Sequence, residues 1–176
     1  MSLDIFDHDI SLAQVILGFV LLERLIELWV ARRNTERLLA DGAVEHGSEH
    51  YPFLIILHAS WLAALVYTTP PGTPVSTPWL AVYVVLQFAR IWVIASLGRF
   101  WTTRIITRAG AALVRRGPYR FVRHPNYAIV TAEIAVLPLV FGHWQIALVF
   151  TLLNLLVLRE RIRVENEALA ERRGVD

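Results

Sequence analysis

The chain has 176 residues, 56% of them hydrophobic, with six Trp, 18% charged residues and a mean hydropathy of +0.50. A soluble domain of that length could not withdraw so much apolar surface from water, because small folds leave a large share of their area exposed. A net charge of +2 with no continuous basic stripe argues against a nucleic-acid partner, and the absence of cysteine excludes disulfides, thiolate metal sites and Cys nucleophiles.

The opening MSLDIFDHDI is acidic and lacks the basic start of a signal peptide, so the first apolar segment, about Ile10 to Ala31, is expected to remain as a membrane span. Crossing the hydrocarbon core takes about 20 apolar residues in a helix. Four more segments qualify: Phe53–Thr69, Pro78–Leu97, the shorter Pro125–Val140, and Trp144 to about Leu158. PPGTPVSTP (Pro70–Pro78) reads as a rigid turn. Pro138 followed by Gly142 inside one long apolar run predicts a tight hairpin between the last two spans. The expectation is an all-α integral membrane protein with five transmembrane helices in a single membrane domain, 1–176.

The arginines set the orientation. Lys is absent, and 15 of 17 positive charges fall after span one, between spans three and four, or after span five. The opposite side, with the N-terminus, the Pro70–Thr77 loop and the Gly142 turn, carries none. By the positive-inside rule the basic side is cytoplasmic, which places the N-terminus out and the C-terminus in. If the source is bacterial, the location is the inner membrane.

Several ionisable or polar groups lie within the spans: Glu23, Arg24 and Glu27 in the first, His58 in the second, Gln87 and Arg90 in the third, Glu133 in the fourth, Asn154 in the fifth. Charges at membrane depth are costly and face a bundle interior or a wet cavity. Two readings stand: buried pairs such as Glu23 or Glu27 with Arg90 that fix helix packing, or a lining for a polar head group. His46 and His50, beside Glu45 and Glu49, have chelating spacing only on a helix, which Gly47 and Pro52 weaken; with no third strong ligand, no metal is expected. His8 and His143 read as interfacial.

Two segments carry chemistry. In LVRRGPYRFVRHPNY (Leu113–Tyr127) Gly117-Pro118 makes a turn, and Pro125 suits the first turn of the fourth helix while biasing His124 to an extended cap. That helix N-terminus, with Arg123, would suit an anionic ligand group. In RERIRVENE (Arg159–Glu167), Arg161 and Glu165 stand four apart on one helix face. Glu165 could pair with a ligand ammonium and Arg161 with an oxyanion or carboxylate; an ordinary salt-bridged helix end is the competing reading.

Together these segments resemble the isoprenylcysteine carboxyl methyltransferase family of membrane enzymes. There a Gly-Pro-Tyr-Arg…Arg-His-Pro-x-Tyr segment and a later Arg-x-x-x-Glu-Glu-x-x-Leu segment enclose S-adenosylmethionine. Arg161, Glu165 and Leu169 match the second segment, and Asn166 stands where a second Glu is usual. A narrower similarity, carried by Glu23-Arg24…Glu27, Arg33-Asn34, Gly42-Ala43…Glu45, His50-Tyr51-Pro52, Leu57-His58 and Leu97-Gly98…Trp101, is to a bacterial branch that includes alkylpyrone O-methyltransferases. That points away from a prenylated protein as acceptor.

The resemblance implies an S-adenosylmethionine-dependent methyltransferase acting on a lipophilic acceptor, with residues 113–176 holding the cofactor and 1–112 anchoring the chain on the acceptor side. Val114, Gly117, Tyr119, Arg123, His124, Pro125, Tyr127 and Glu165 are the expected cofactor residues. Arg161 and Glu165 are the expected catalytic pair, with Arg161 on the acceptor oxyanion or on the cofactor carboxylate. Substrate contacts are expected from Arg90, Glu23, Glu27, His50, His58 and Trp101. The rival readings are an NADPH-dependent sterol-type reductase, whose C-terminal Arg-His-x-x-Tyr region is similar, and a non-catalytic membrane scaffold.

Overall fold

A computed structural model describes residues 11–111 and 114–173, with side chains through Ala170. Ile10, where the first span was expected to begin, and His8 and Leu113 lie outside the described residues. Five helices follow in order: α1 (Leu12–Ala40), α2 (Tyr51–Thr68), α3 (Thr77–Leu97), α4 (Pro125–Val140) and α5 (Trp144–Arg173). Local chemistry explains their starts. Ser11 and Gln14 form a reciprocal capping box that satisfies two free N–H groups of α1. Pro52, Pro78 and Pro125 each occupy a first turn, where the missing N–H removes no helical bond.

α2 and α3 are each long and apolar enough to cross a bilayer, while α4 is apolar but has only 16 residues. α1 runs nine residues past Ala31, carrying Arg32, Arg33 and Arg37 on the same helix as its apolar stretch. α5, with 30 residues, likewise continues from apolar sequence into Arg159–Glu167 without a break. Large side chains stand open on the outside of the bundle: Phe19 is 59% exposed, Tyr67 90%, Phe88 69% and Leu156 67%. Apolar exposure on that scale is tolerable against lipid and not against water.

α4 packs between α3 and α5, and α2 lies against α5. The main core sits at one end of the bundle, where Leu17 and Val20 of α1, Trp61 and Leu65 of α2, and Ile134, Leu137 and Val140 of α4 meet. The α4–α5 connection is the expected hairpin. The backbone N–H groups of Phe141 and His143 both donate to the Pro138 carbonyl, at 3.1 and 2.9 Å, and Gly142 takes φ +78°. His143 is tied in as well, its Nε2 lying 3.1 Å from the Thr69 hydroxyl.

At the other end the fold departs from a purely helical reading. Val44–His46 (β1) and Ile105–Thr107 (β2) pair as a two-stranded antiparallel ribbon. It joins the loop after α1 to the segment after α3. His46 is therefore on a strand and His50 on a following 3-10 turn, so the helical spacing that would let them share a ligand does not exist. His46 instead bonds the Thr107 hydroxyl at 2.7 Å.

Candidate active site

The segment leading into α4 is docked on the end of α3. Arg116 donates through Nε to the Ser96 carbonyl at 2.7 Å. Next comes Gly117, with φ +57°, where a Cβ would stand 2.1 Å from the Ser96 hydroxyl oxygen and 3.2 Å from Trp92 Nε1. Only glycine combines that left-handed backbone with so close an approach. The turn Gly117–Arg120 then delivers His124 to the start of α4, with φ −128° and ψ 58°, short of a fully extended cap. The His124 ring stacks on Tyr127, with centroids 5.5 Å apart and planes 14° from parallel.

α5 supplies the opposing side. The Tyr127 hydroxyl donates to the Glu165 carboxylate. Arg161 Nε donates to the same hydroxyl at 2.9 Å, and another nitrogen of that guanidinium donates to the Thr103 carbonyl at 2.6 Å. His124 Nδ1 lies 3.8 Å from Glu165. Four residues drawn from two distant sequence segments thus share one cluster.

They line a cavity of about 410 Å³, within the usual range for small-molecule sites. Val114, Tyr119 and Arg123 line it too, and the facing wall comes from the stretch after α3, with Trp101, Arg104 and β2. Leu169 of α5 also borders it. Three buried polar atoms on its lining have no hydrogen-bond partner: His124 Nε2, Asn126 Oδ1 and Trp101 Nε1. Such atoms are costly unless something polar pairs with them. Burial, and then the nearby Glu165 charge, push the Tyr119 phenol above its ordinary range, so it stands as a neutral group.

Other expected site residues lie elsewhere. Gly117 and Pro125 do not line the cavity; the first packs on α3 and the second is buried at the start of α4. His50 borders a separate small recess with Leu54 and Val164, its Nε2 3.8 Å from Glu160. His58 donates from Nδ1 to the Leu54 carbonyl of its own helix at 2.9 Å. Glu23, Glu27 and Arg90 are also absent from the cavity lining. Arg90 grips Glu27 of α1 and, at 3.0 Å, Glu133 of α4, while Arg24 reaches Glu27 at 2.9 Å and Glu133 at 3.3 Å. Gln87 donates to the other Glu133 oxygen at 3.0 Å. Glu23 touches only its neighbour Arg24, at 3.5 Å, among the ion pairs of the described residues.

The sequence reading missed Asn126, Arg104 and β2. A three-residue strand has no periodicity to read. Arg104 lay in a run of arginines, and nothing in its own position marked it apart from the others.

A five-helix bundle with two helices long and apolar enough to cross a bilayer, and with large apolar side chains on its outside, is the architecture of a membrane protein. The isoprenylcysteine carboxyl methyltransferase (ICMT) family matches residues 79–171, and the chain belongs to that family, one of membrane methyltransferases. It is 34% identical to the uncharacterized protein YpbQ of Bacillus subtilis over 161 residues, 89% of this chain and 96% of that one. A second relative, an uncharacterized protein of Haemophilus influenzae, is 28% identical over 156 residues, 86% of this chain and 91% of its own. No solved structure matches the chain.

Proposed function

We propose that the chain transfers a methyl group from S-adenosylmethionine to an oxygen of a lipophilic acceptor, a carboxylate or an enol or phenol of the alkylpyrone kind. What supports this is the convergence of His124, Tyr127, Arg161 and Glu165 on one cavity of about 410 Å³. The lining suits such a cosubstrate: a carboxylate for its ammonium, unpartnered donors and acceptors at Trp101, His124 and Asn126, and arginines for its carboxylate. Bound there, S-adenosylmethionine supplies an already activated methyl group for in-line displacement.

The residues then have mainly to align and to exclude water. Glu165 holds the ammonium. His124 and Asn126 meet polar edges of the cosubstrate with their free atoms. Arg161 orients the acceptor oxyanion or the cosubstrate carboxylate. An acceptor that arrives as an anion needs no strong general base. Five spans, with the N-terminus outside and the basic loops in the cytoplasm, let the acceptor enter from lipid and the cosubstrate from water. If the source is bacterial the membrane is the inner one.

Calorimetry on the purified protein in lipid nanodiscs tests the reading. S-adenosylhomocysteine is expected to bind and NADPH not to. Glu165→Ala and His124→Ala are expected to lose binding while the protein remains extractable and folded. Near-normal binding in both variants overturns the assignment.

A further inference from the structure

Arg161 is held at two points, and only one of them belongs to the sequence motifs. The Tyr127 hydroxyl takes its Nε–H, and the Thr103 backbone carbonyl takes a second guanidinium proton at 2.6 Å. Thr103 sits between the 3-10 turn Gly98–Phe100 and β2, at a position that belongs to neither helix nor strand. Its position is set from the N-terminal half of the chain. Asn34, buried on α1, donates to the Trp101 carbonyl at 2.8 Å and to the Gly98 carbonyl at 3.3 Å. The Tyr51 and Thr103 hydroxyls share a hydrogen bond of 2.9 Å. Arg104, the next residue, donates from one guanidinium nitrogen, Nη1, to both Glu45 oxygens at 2.8 and 2.9 Å and lies over the Tyr51 ring at 4.7 Å.

We propose that Tyr51, acting through Thr103, is a positioning residue that sets the Arg161 guanidinium within the cavity. Tyr51 is half-buried at the start of α2 and is not part of the cavity lining, so it acts on the site only through the wall it braces. The physical case is one of geometry. A guanidinium on a long flexible stem recognises an oxyanion well only when its planar fork is fixed beforehand. Two acceptors on different elements fix that plane; one acceptor leaves it free to swing about Nε. In this view the ribbon and the Tyr51 contact are the means by which residues 34–51, remote from the motifs, bear on ligand recognition. The functional consequence rests on the methyltransferase reading, whereas the structural one does not.

The test therefore has two readouts. In nanodisc protein labelled with 15N-arginine, the Arg161 Nε–H signal is identified by its loss in Arg161→Lys. It is expected to shift and to exchange faster with water in Tyr51→Phe and in Thr103→Val, and to return towards its original place in Thr103→Ser, which keeps the hydroxyl. S-adenosylhomocysteine affinity is expected to fall roughly three- to tenfold in Tyr51→Phe and in Thr103→Val, no further in the double variant, and to recover in Thr103→Ser. An Arg161 signal unmoved by both single substitutions overturns the proposal. So do losses that simply add in the double variant. If the signal moves as expected but the parent protein binds no S-adenosylhomocysteine, the positioning role stands and the methyltransferase reading falls.

Discussion

The Tyr127 hydroxyl, in the first turn of α4, donates to the Glu165 carboxylate on α5 while accepting from Arg161 at 2.9 Å. The same phenol thus bridges the two charged side chains of α5, and the other Glu165 oxygen lies 3.8 Å from His124 Nδ1. Replacing the charge while keeping the shape isolates what the carboxylate does. Glu165→Gln is expected to weaken S-adenosylhomocysteine binding roughly 10- to 100-fold, the range for losing a hydrogen bond to an ionised group. Tyr127→Phe is expected to cost less, roughly three- to tenfold, because both charges survive. Calorimetry on the two variants checks the order; an equal or reversed ranking contradicts the role given to Glu165.

Tyr119 offers a pH-dependent signature. Burial first, and the Glu165 charge second, raise its pKa above the ordinary value of 10.0. Below that pH the phenol is neutral in both folded and unfolded chains and contributes no pH dependence. Above it the unfolded chain loses the proton first, so the folded state binds more protons and stability falls as pH rises. Thermal unfolding between pH 9 and 11 is expected to show a shallower alkaline decline in Tyr119→Phe than in the parent. Identical slopes would mean that the phenol is not shielded from water.

The five helices were legible because each has an apolar run bounded by proline, glycine or arginine, signals that lie within a few residues of one another. The Arg161–Glu165 pair was legible for the same reason, since i,i+4 spacing fixes a shared face. What joins the two halves of the chain was not. Val44–His46 meets Ile105–Thr107 across some 60 intervening residues, with only three residues on each strand, and no local pattern announces such a pairing. Gly117 was read as a cofactor contact, since the motif containing it was read as a unit. Its position instead reflects a close approach to Ser96 that only the assembled fold reveals. Arg90 was expected to pair with Glu23 or Glu27 and meets Glu27, whereas Glu133 joins the cluster because α4 packs against α3, a neighbourhood that charge spacing along one helix cannot express.

Gly117 is accordingly expected to be sensitive through packing. Gly117→Ala combines a left-handed backbone with a Cβ placed 2.1 Å from the Ser96 oxygen. Strain and overpacking together should cost at least about 2 kcal/mol. Because the turn carries Tyr119 and His124 into the cavity, ligand affinity should fall along with the melting temperature. Ser96→Gly in the same chain removes the hydroxymethyl group that the new Cβ meets, and is expected to restore part of both. A neutral Gly117→Ala, or no recovery in the double variant, would show that the contact does not constrain this turn.

The Arg90 cluster makes the opposite prediction, stability lost with the site intact. Arg90 is 6% exposed and Glu133 2%, and the groups around them come from α1, α3 and α4. Removing one member of a buried ion network leaves an uncompensated charge away from water, which typically costs about 3–5 kcal/mol. Arg90→Leu should therefore lower the melting temperature sharply. Arg90→Lys should recover only part, since an ammonium cannot fork onto two carboxylates in one plane. The exposed α1 pair Arg32–Glu36, whose side chains are 82% and 64% exposed, serves as the control, and Arg32→Leu should change stability by less than about 1 kcal/mol. S-adenosylhomocysteine affinity in the folded Arg90 variants should stay close to that of the parent, because none of the cluster lines the cavity. If Arg90→Leu instead kept its melting temperature and lost ligand, the cluster would be part of the binding site and not a lock between three helices.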